Sequence, residues 1–165
     1  MDSGFDDLLA ANAAFAETFD LAGFDGVAHQ GVAVVTCMDS RIAPLLMLGL
    51  KPGDAKIFRN PGGRVTNAAL EALVLGVHLL GVERILIVPH TRCAMATTSE
   101  AELREQVSLA SGLDATWTSW HVVTDQAAAL HDDVARVRAH PLIPDHVPVG
   151  GFMYDVDTGL LDRLV

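Results

Sequence analysis

Lysine is nearly missing from this chain. Only Lys51 and Lys56 occur in 165 residues, and no basic run appears anywhere. Eleven Lys and Arg stand against 21 Asp and Glu, a formal charge of −10 with neutral histidines. Proteins that grip nucleic acid or lie on anionic membranes neutralise phosphates with clustered Lys and Arg, so the sequence predicts no nucleic-acid partner and no membrane surface. Long apolar runs are also lacking: no stretch approaches the roughly 18 uncharged apolar residues of a membrane span. The first residues, Met1 to Asp7, are acidic where a secretory signal would be basic and then apolar, which predicts a cytoplasmic protein. Repeats, low-complexity tracts and linkers are absent as well, so residues 1–165 read as one domain, with 1–25 as an N-terminal helical arm. Cysteine is scarce, and in a reducing compartment Cys37 and Cys93 point to metal binding or catalysis rather than to a disulfide.

What is present is the material of a packed core: 50% of residues are hydrophobic and 19% charged. Phe5, Leu8, Leu9, Phe15 and Phe19 recur at helical spacing, predicting an amphipathic helix over 5–19. Val32 to Cys37 is a continuous apolar run rich in β-branched residues, as expected of a strand buried on both faces. Pro44 suits the first turn of a short helix to Leu48. A second strand is predicted over 55–59, running into the Asn60-Pro61-Gly62-Gly63 turn, and a helix over 67–80. The third strand is Arg84 to Pro89. Ser99 with Glu102 forms a capping-box signature for a helix to about residue 110, and a last helix should span about 125–139. The chain closes on a hairpin built from 147–156 and 160–165. Strands separated by helical crossovers predict an α/β fold: a three-layer, mostly parallel sheet with helices on both faces and an antiparallel edge hairpin at the C-terminus.

In such sheets ligands bind beyond the carboxyl ends of the strands. Both cysteines lie at such ends, with Asp39, Arg41 and His90 beside them. Two thiolates and an imidazole suit Zn²⁺, and three protein ligands leave one tetrahedral position open, as in catalytic zinc sites. His90 and Cys93 are close enough for one turn to aim both at one ion, whereas Cys37 must come from another strand and joins them if the first and third strands are neighbours. Water on such an ion has its pKa lowered to about 7, which makes hydroxide available at neutral pH. Asp39 and Arg41, two apart, fall on one side if the segment is extended. Arg41 would hold Asp39 ionised, either to accept a hydrogen bond from the hydroxide or, released, to ligate the metal and block it.

Cys37-Met38-Asp39-Ser40-Arg41 followed by His90-Thr91-Arg92-Cys93 resembles the C-x-D-x-R … H-x-x-C signature of the β-class carbonic anhydrases, and of their compact bacterial and archaeal branch above all. The likeness extends through Arg59-Asn60-Pro61-Gly62-Gly63 and the closing Gly151-to-Leu160 hairpin. It implies one Zn²⁺ per chain on Cys37, His90 and Cys93, an Asp39–Arg41 catalytic dyad, reversible hydration of CO₂ to bicarbonate (a lyase activity), and a homodimer or higher homo-oligomer embraced by the N-terminal helix. Ile42, Val65 and Ala94 are the apolar candidates for holding CO₂. Two positions depart from the family pattern. Ala94 replaces the usual Gly after the second cysteine, a strain cost if that residue needs positive φ. Arg92 stands where relatives often carry Asp and adds a cation that would favour an anionic ligand.

Alternatives accompany each reading. The same site could hydrolyse CS₂ or COS, since hydroxide attack on carbon is the same chemistry, or could belong to a catalytically silent zinc- or bicarbonate-binding homologue. A cysteine phosphatase fails on spacing, because Ala43 stands where its C-x₅-R loop needs arginine. Arg59 and Arg64 flank the Gly-rich turn as anion-binding candidates, with a structural salt bridge at least as well supported. Trp117 and Trp120 are expected to pack a loop or cover an interface. No histidine other than His90 has a partner spacing that assigns it a role.

Overall fold

The computed structural model describes residues 4–165. Its centre is β1, Val32–Cys37, buried at every position because the strand is flanked on both edges and covered on both faces. Strand β2 (Ala55–Asn60) pairs with one side of β1 and β3 (Arg84–Val88) with the other, both parallel. Strand β4 (Val149–Tyr154) continues the parallel set beside β3, and β5 (Leu161–Arg163) turns back antiparallel to close the order β2-β1-β3-β4-β5. The parallel α/β sheet with an antiparallel edge expected from the sequence is therefore present.

The two faces follow the period of two along each strand. Ala33 and Val35 of β1 and Ile85 and Ile87 of β3 point to one side. There they meet Ala69, Leu70 and Leu73 of α3 (Asn67–Leu79) and Leu130, Val134 and Val137 of α6 (Gln126–Arg138). Val32, Val34 and Val88 point to the other side, toward Ile42, both cysteines and the short helices α2 (Pro44–Met47) and α4 (Ala94–Thr97). Helix α5 (Glu100–Ser111) starts at the Ser99–Glu102 capping box, with both reciprocal bonds made. In chain order these five follow α1, Asp6–Ala16, which buries none of its residues. Pro61–Gly63 adds one 3-10 turn after β2.

Crossovers that return every parallel strand in the same direction place Cys37, Asn60 and the segment after Val88 at one end of the sheet. The site lies there.

Candidate metal centre

Cys37 ends β1, and His90 and Cys93 follow β3, so adjacency of the two strands brings all three side chains together. The sulfurs of Cys37 and Cys93 and a ring nitrogen of His90 lie within 4.8 Å of one another, and all three residues are buried. Thr36 Oγ1 donates to the Val88 carbonyl at 2.7 Å and fixes the two strand ends against each other. His90 Nδ1 donates to the Thr91 carbonyl at 2.8 Å, which leaves Nε2 as the free lone pair. That Nε2 is fully buried and has no hydrogen-bond partner. A buried ring nitrogen without a partner is costly unless something else occupies it. The donor set, two soft sulfurs and one oriented imidazole, is that of a zinc site with a position open, and these residues fit the ion.

Proton affinities tell the same story. The Cys37 thiol is held well below its ordinary value, chiefly because the Cys93 thiol donates to its sulfur. The His90 ring and the backbone N–H groups of Asp39 and Gly62 add to this, against the opposing effect of burial. Cys93 is pushed up in turn by the Cys37 thiolate and by burial. The two sulfurs therefore share one proton, which a divalent cation between them would release. Burial opposes charge on His90, yet the nearby Cys37 sulfur draws its pKa upward.

Asp39 and Arg41 form a forked pair: Arg41 Nε donates to Oδ1 at 2.9 Å and Nη2 to Oδ2 at 2.7 Å. The segment is not extended, as the side-by-side reading of these residues assumed. Asp39 Oδ1 also accepts the Arg41 backbone N–H at 2.9 Å, so a side-chain turn curls Asp39-Ser40-Arg41 and makes the two groups meet. The Arg41 side chain and then its backbone N–H hold the Asp39 carboxyl well below the usual carboxylate range. Asp39 Oδ2 stands 3.7 Å from His90 Nε2, so the carboxylate borders the metal triad without leaving Arg41.

The supports of the triad were less visible in the sequence. Arg59 donates from Nε to the Cys37 carbonyl (2.9 Å) and from Nη2 to the Asp39 carbonyl (2.6 Å), clamping the backbone between ligand and dyad. Arg64 pairs with buried Asp133 of α6 through two bonds, at 2.6 and 3.2 Å. Both arginines thus serve the structure. Gln126 Nε2 donates to the His90 carbonyl at 2.9 Å, a contact with no sequence signal because it spans 36 residues. Gly63, at φ +65°, lies so close to β1 that a Cβ there would be 2.9 Å from the Cys37 backbone N.

The strain expected at Ala94 falls elsewhere. Ala94 opens α4 without positive φ; the left-handed residue of the loop is Arg92, at φ +54°. A non-glycine residue there costs about 1–2 kcal/mol. Of the apolar candidates, Ile42 packs in one cluster with Cys37 and Cys93, while Val65 is part of the opposite core under α3 and Ala94 is exposed. Trp117 is 82% exposed, its ring Nε1 donating to the Asp114 carbonyl at 2.9 Å.

Two sulfurs and an imidazole gathered at the carboxyl end of a parallel sheet, with an ionised carboxylate beside them, form the kind of donor set found in open-site metalloenzymes. Comparison with known proteins makes this particular. The carbonic anhydrase family profile matches residues 32–161. Beta-carbonic anhydrase 1 of Mycobacterium tuberculosis is 31% identical over 163 residues, 96% of each chain. A carbonic anhydrase structure from Streptococcus mutans superposes with a TM-score of 0.89 at 36% identity, covering 100% of this chain and 99% of that one. A carbon disulfide hydrolase of Acidithiobacillus thiooxidans is 32% identical over 149 residues, 78% of this chain and 74% of its own. The chain belongs to the β-carbonic anhydrase family, a family of zinc enzymes.

Proposed function

We propose that this enzyme catalyses the reversible hydration of CO₂ to bicarbonate, with one Zn²⁺ per chain on Cys37, His90 and Cys93 and with Asp39 and Arg41 as its catalytic dyad. The observation that carries the reading is the buried, partnerless His90 Nε2 facing two cysteine sulfurs, with the ionised Asp39 carboxylate 3.7 Å away. When bound, the ion supplies a Lewis acid that makes water a nucleophile near neutral pH. The protein supplies the rest. Thr91 fixes the His90 tautomer through its carbonyl. Arg41 keeps Asp39 charged and turned toward the triad. An ionised carboxylate can only accept hydrogen bonds, so Asp39 selects oxygen species that carry a proton and orients their remaining lone pairs toward a substrate carbon. Ile42, 3% exposed beside both cysteines, offers an apolar wall for a small uncharged molecule.

Hydrolysis of CS₂ or COS at the same residues is the second reading, favoured by the similarity to a carbon disulfide hydrolase. Stopped-flow hydration of CO₂ by zinc-loaded protein, in parallel with CS₂ and COS, decides between them. Fast CO₂ turnover with one zinc per chain supports the first reading, CS₂ turnover alone the second, and neither activity between pH 6 and 9 leaves a silent zinc protein.

The active form is a homodimer or a larger homo-oligomer. Phe5, Leu8, Leu9 and Phe15 on and beside α1 are each 59–63% exposed, an apolar face with no cover among the described residues. No helix of the described residues is long and apolar enough to cross a membrane, and we place the enzyme in the cytoplasm.

A further inference from the structure

Arg92 ties its own guanidinium to Asp157, in the turn after β4, with Nη2 2.5 Å from the Asp157 carboxylate. It is also the one non-glycine residue of the metal loop with positive φ. These two facts belong together. The peptide planes on either side of Arg92 carry two acceptors that matter to the site. The Thr91 carbonyl holds His90 Nδ1 at 2.8 Å, and the Arg92 carbonyl faces Arg41 Nη2 at 3.4 Å. Rotation about the Arg92 backbone therefore sets how the acceptor for the metal-binding ring and the acceptor for the dyad arginine stand to each other.

An arginine does not choose that conformation unaided, since its Cβ crowds the backbone there. The Asp157 turn is well placed to enforce it. Asp155 Oδ1 accepts the backbone N–H groups of Asp157 (2.7 Å) and Thr158 (3.2 Å), which makes the turn rigid before it meets Arg92. Thr91 N–H donates to the Tyr154 carbonyl at 2.9 Å, and Val156 N–H donates to Thr91 Oγ1 at 3.1 Å, so the loop and the turn are already laced up to the residue before Arg92. The ion pair extends the lacing by one residue, to the point where the chain turns left-handed.

We infer that Arg92 and Asp157 are a positioning pair: their contact holds the metal loop left-handed, which aims the Thr91 carbonyl at His90 and the Arg92 carbonyl at Arg41. The role rests on the proposed function only for its effect on turnover; its effect on metal retention stands apart. Both side chains are about 60% exposed, so the pair is a modest device, and removing it should cost about fivefold rather than abolish the site.

The test uses zinc-loaded protein carrying Asp157→Asn, Arg92→Ala or Arg92→Gly, with kcat and KM for CO₂ and the rate of zinc transfer to a chelator measured for each. Asp157→Asn and Arg92→Ala should lower kcat about fivefold with KM unchanged and speed zinc release by a similar factor. The double variant Asp157→Asn/Arg92→Ala should be no worse than Arg92→Ala alone. Arg92→Gly should recover at least half of what Arg92→Ala loses, because glycine enters the left-handed region without a Cβ penalty. Wild-type zinc release should quicken toward that of Asp157→Asn as salt is raised, whereas the variants should respond little. Wild-type values for Asp157→Asn in both measurements would overturn the inference. So would additive losses in the double variant, or a change confined to KM, which would make Arg92 an attractor of anions instead. If the wild type holds zinc but turns over no CO₂, the proposed function falls while the zinc-release comparison still decides the positioning role.

Discussion

Cys37 and Asp39 are two residues apart in sequence, and the proposed function gives them different tasks, ligand and dyad carboxylate, which substitution can separate. Cys37 is a buried sulfur whose low pKa readies it for a cation. Replacing it by a hydroxyl removes a soft ligand, so Cys37→Ser should lower zinc affinity by more than the roughly 10–100-fold that loss of a supporting contact costs. Zinc content after dialysis against a weak chelator measures this. Asp39→Asn keeps all three donors and loses only the charge, so it should retain zinc while kcat falls about 100-fold, the lower range for a positioned acid–base group. The same carboxylate has a pH signature. Arg41 depresses its pKa in the folded state, so the stability it contributes is complete above the unfolded value near 4 and fades as pH falls through the depressed value. The difference in melting temperature between wild type and Asp39→Asn should therefore stay constant from pH 5 to 8 and shrink in stronger acid.

The parts of the centre visible at the level of elements are those where local pattern and tertiary placement coincide. An apolar β-branched run ending in Cys37, and another ending before His90, identify buried parallel strands, and the C-x-D-x-R … H-x-x-C resemblance groups their tips; that the two strands are neighbours is supplied by the fold. Helix α5 is equally plain because its capping box is local. Helix α4, four residues long, is too short to show any period, and the sequence gives no signal for it. Gln126, Asp133 and Asp157 reach the site from α6 and the hairpin across 36 to 69 positions, and nothing in their neighbourhoods advertises the destination. Two predictions belong at this scale. Gly63→Ala would place a methyl 2.9 Å from the Cys37 backbone N at a φ of +65°, and backbone atoms cannot rotate away. It should lower both melting temperature and zinc content, whereas the same change at Gly112, with φ +70° but open space around it, should leave zinc content unaltered. Asp133 is 3% exposed and its only ionic partner among the described residues is Arg64, so Asp133→Ala leaves a guanidinium without its counter-charge behind the Gly-rich turn. Loss of roughly 3 kcal/mol is expected, read from denaturant unfolding as a shift in midpoint at constant slope.

At the scale of the whole molecule, the sheet is covered unequally. Helices α3 and α6 bury one face, while the other has, among the described residues, the short helices α2 and α4 near the site and a cavity of about 370 Å³ lined by Val32, Leu48, Leu50, Leu86 and Phe152 farther along. Helix α1, meanwhile, buries nothing, and an isolated helix of 11 residues is marginal in water. A chain that leaves an apolar arm uncovered and one sheet face thinly covered has its missing packing supplied most economically by a second copy, since a twofold interface satisfies both chains at once. The expected mass by light scattering is therefore twice 17.5 kDa or a larger multiple. Leu8→Glu with Phe15→Glu puts two charges on that face without touching any buried residue. It should shift the mass toward the single chain and reduce helical ellipticity by the contribution of α1, because the arm is stable only when covered. If the doubly substituted protein keeps the wild-type mass and ellipticity, the arm is not the interface, and association must use the thinly covered face of the sheet instead.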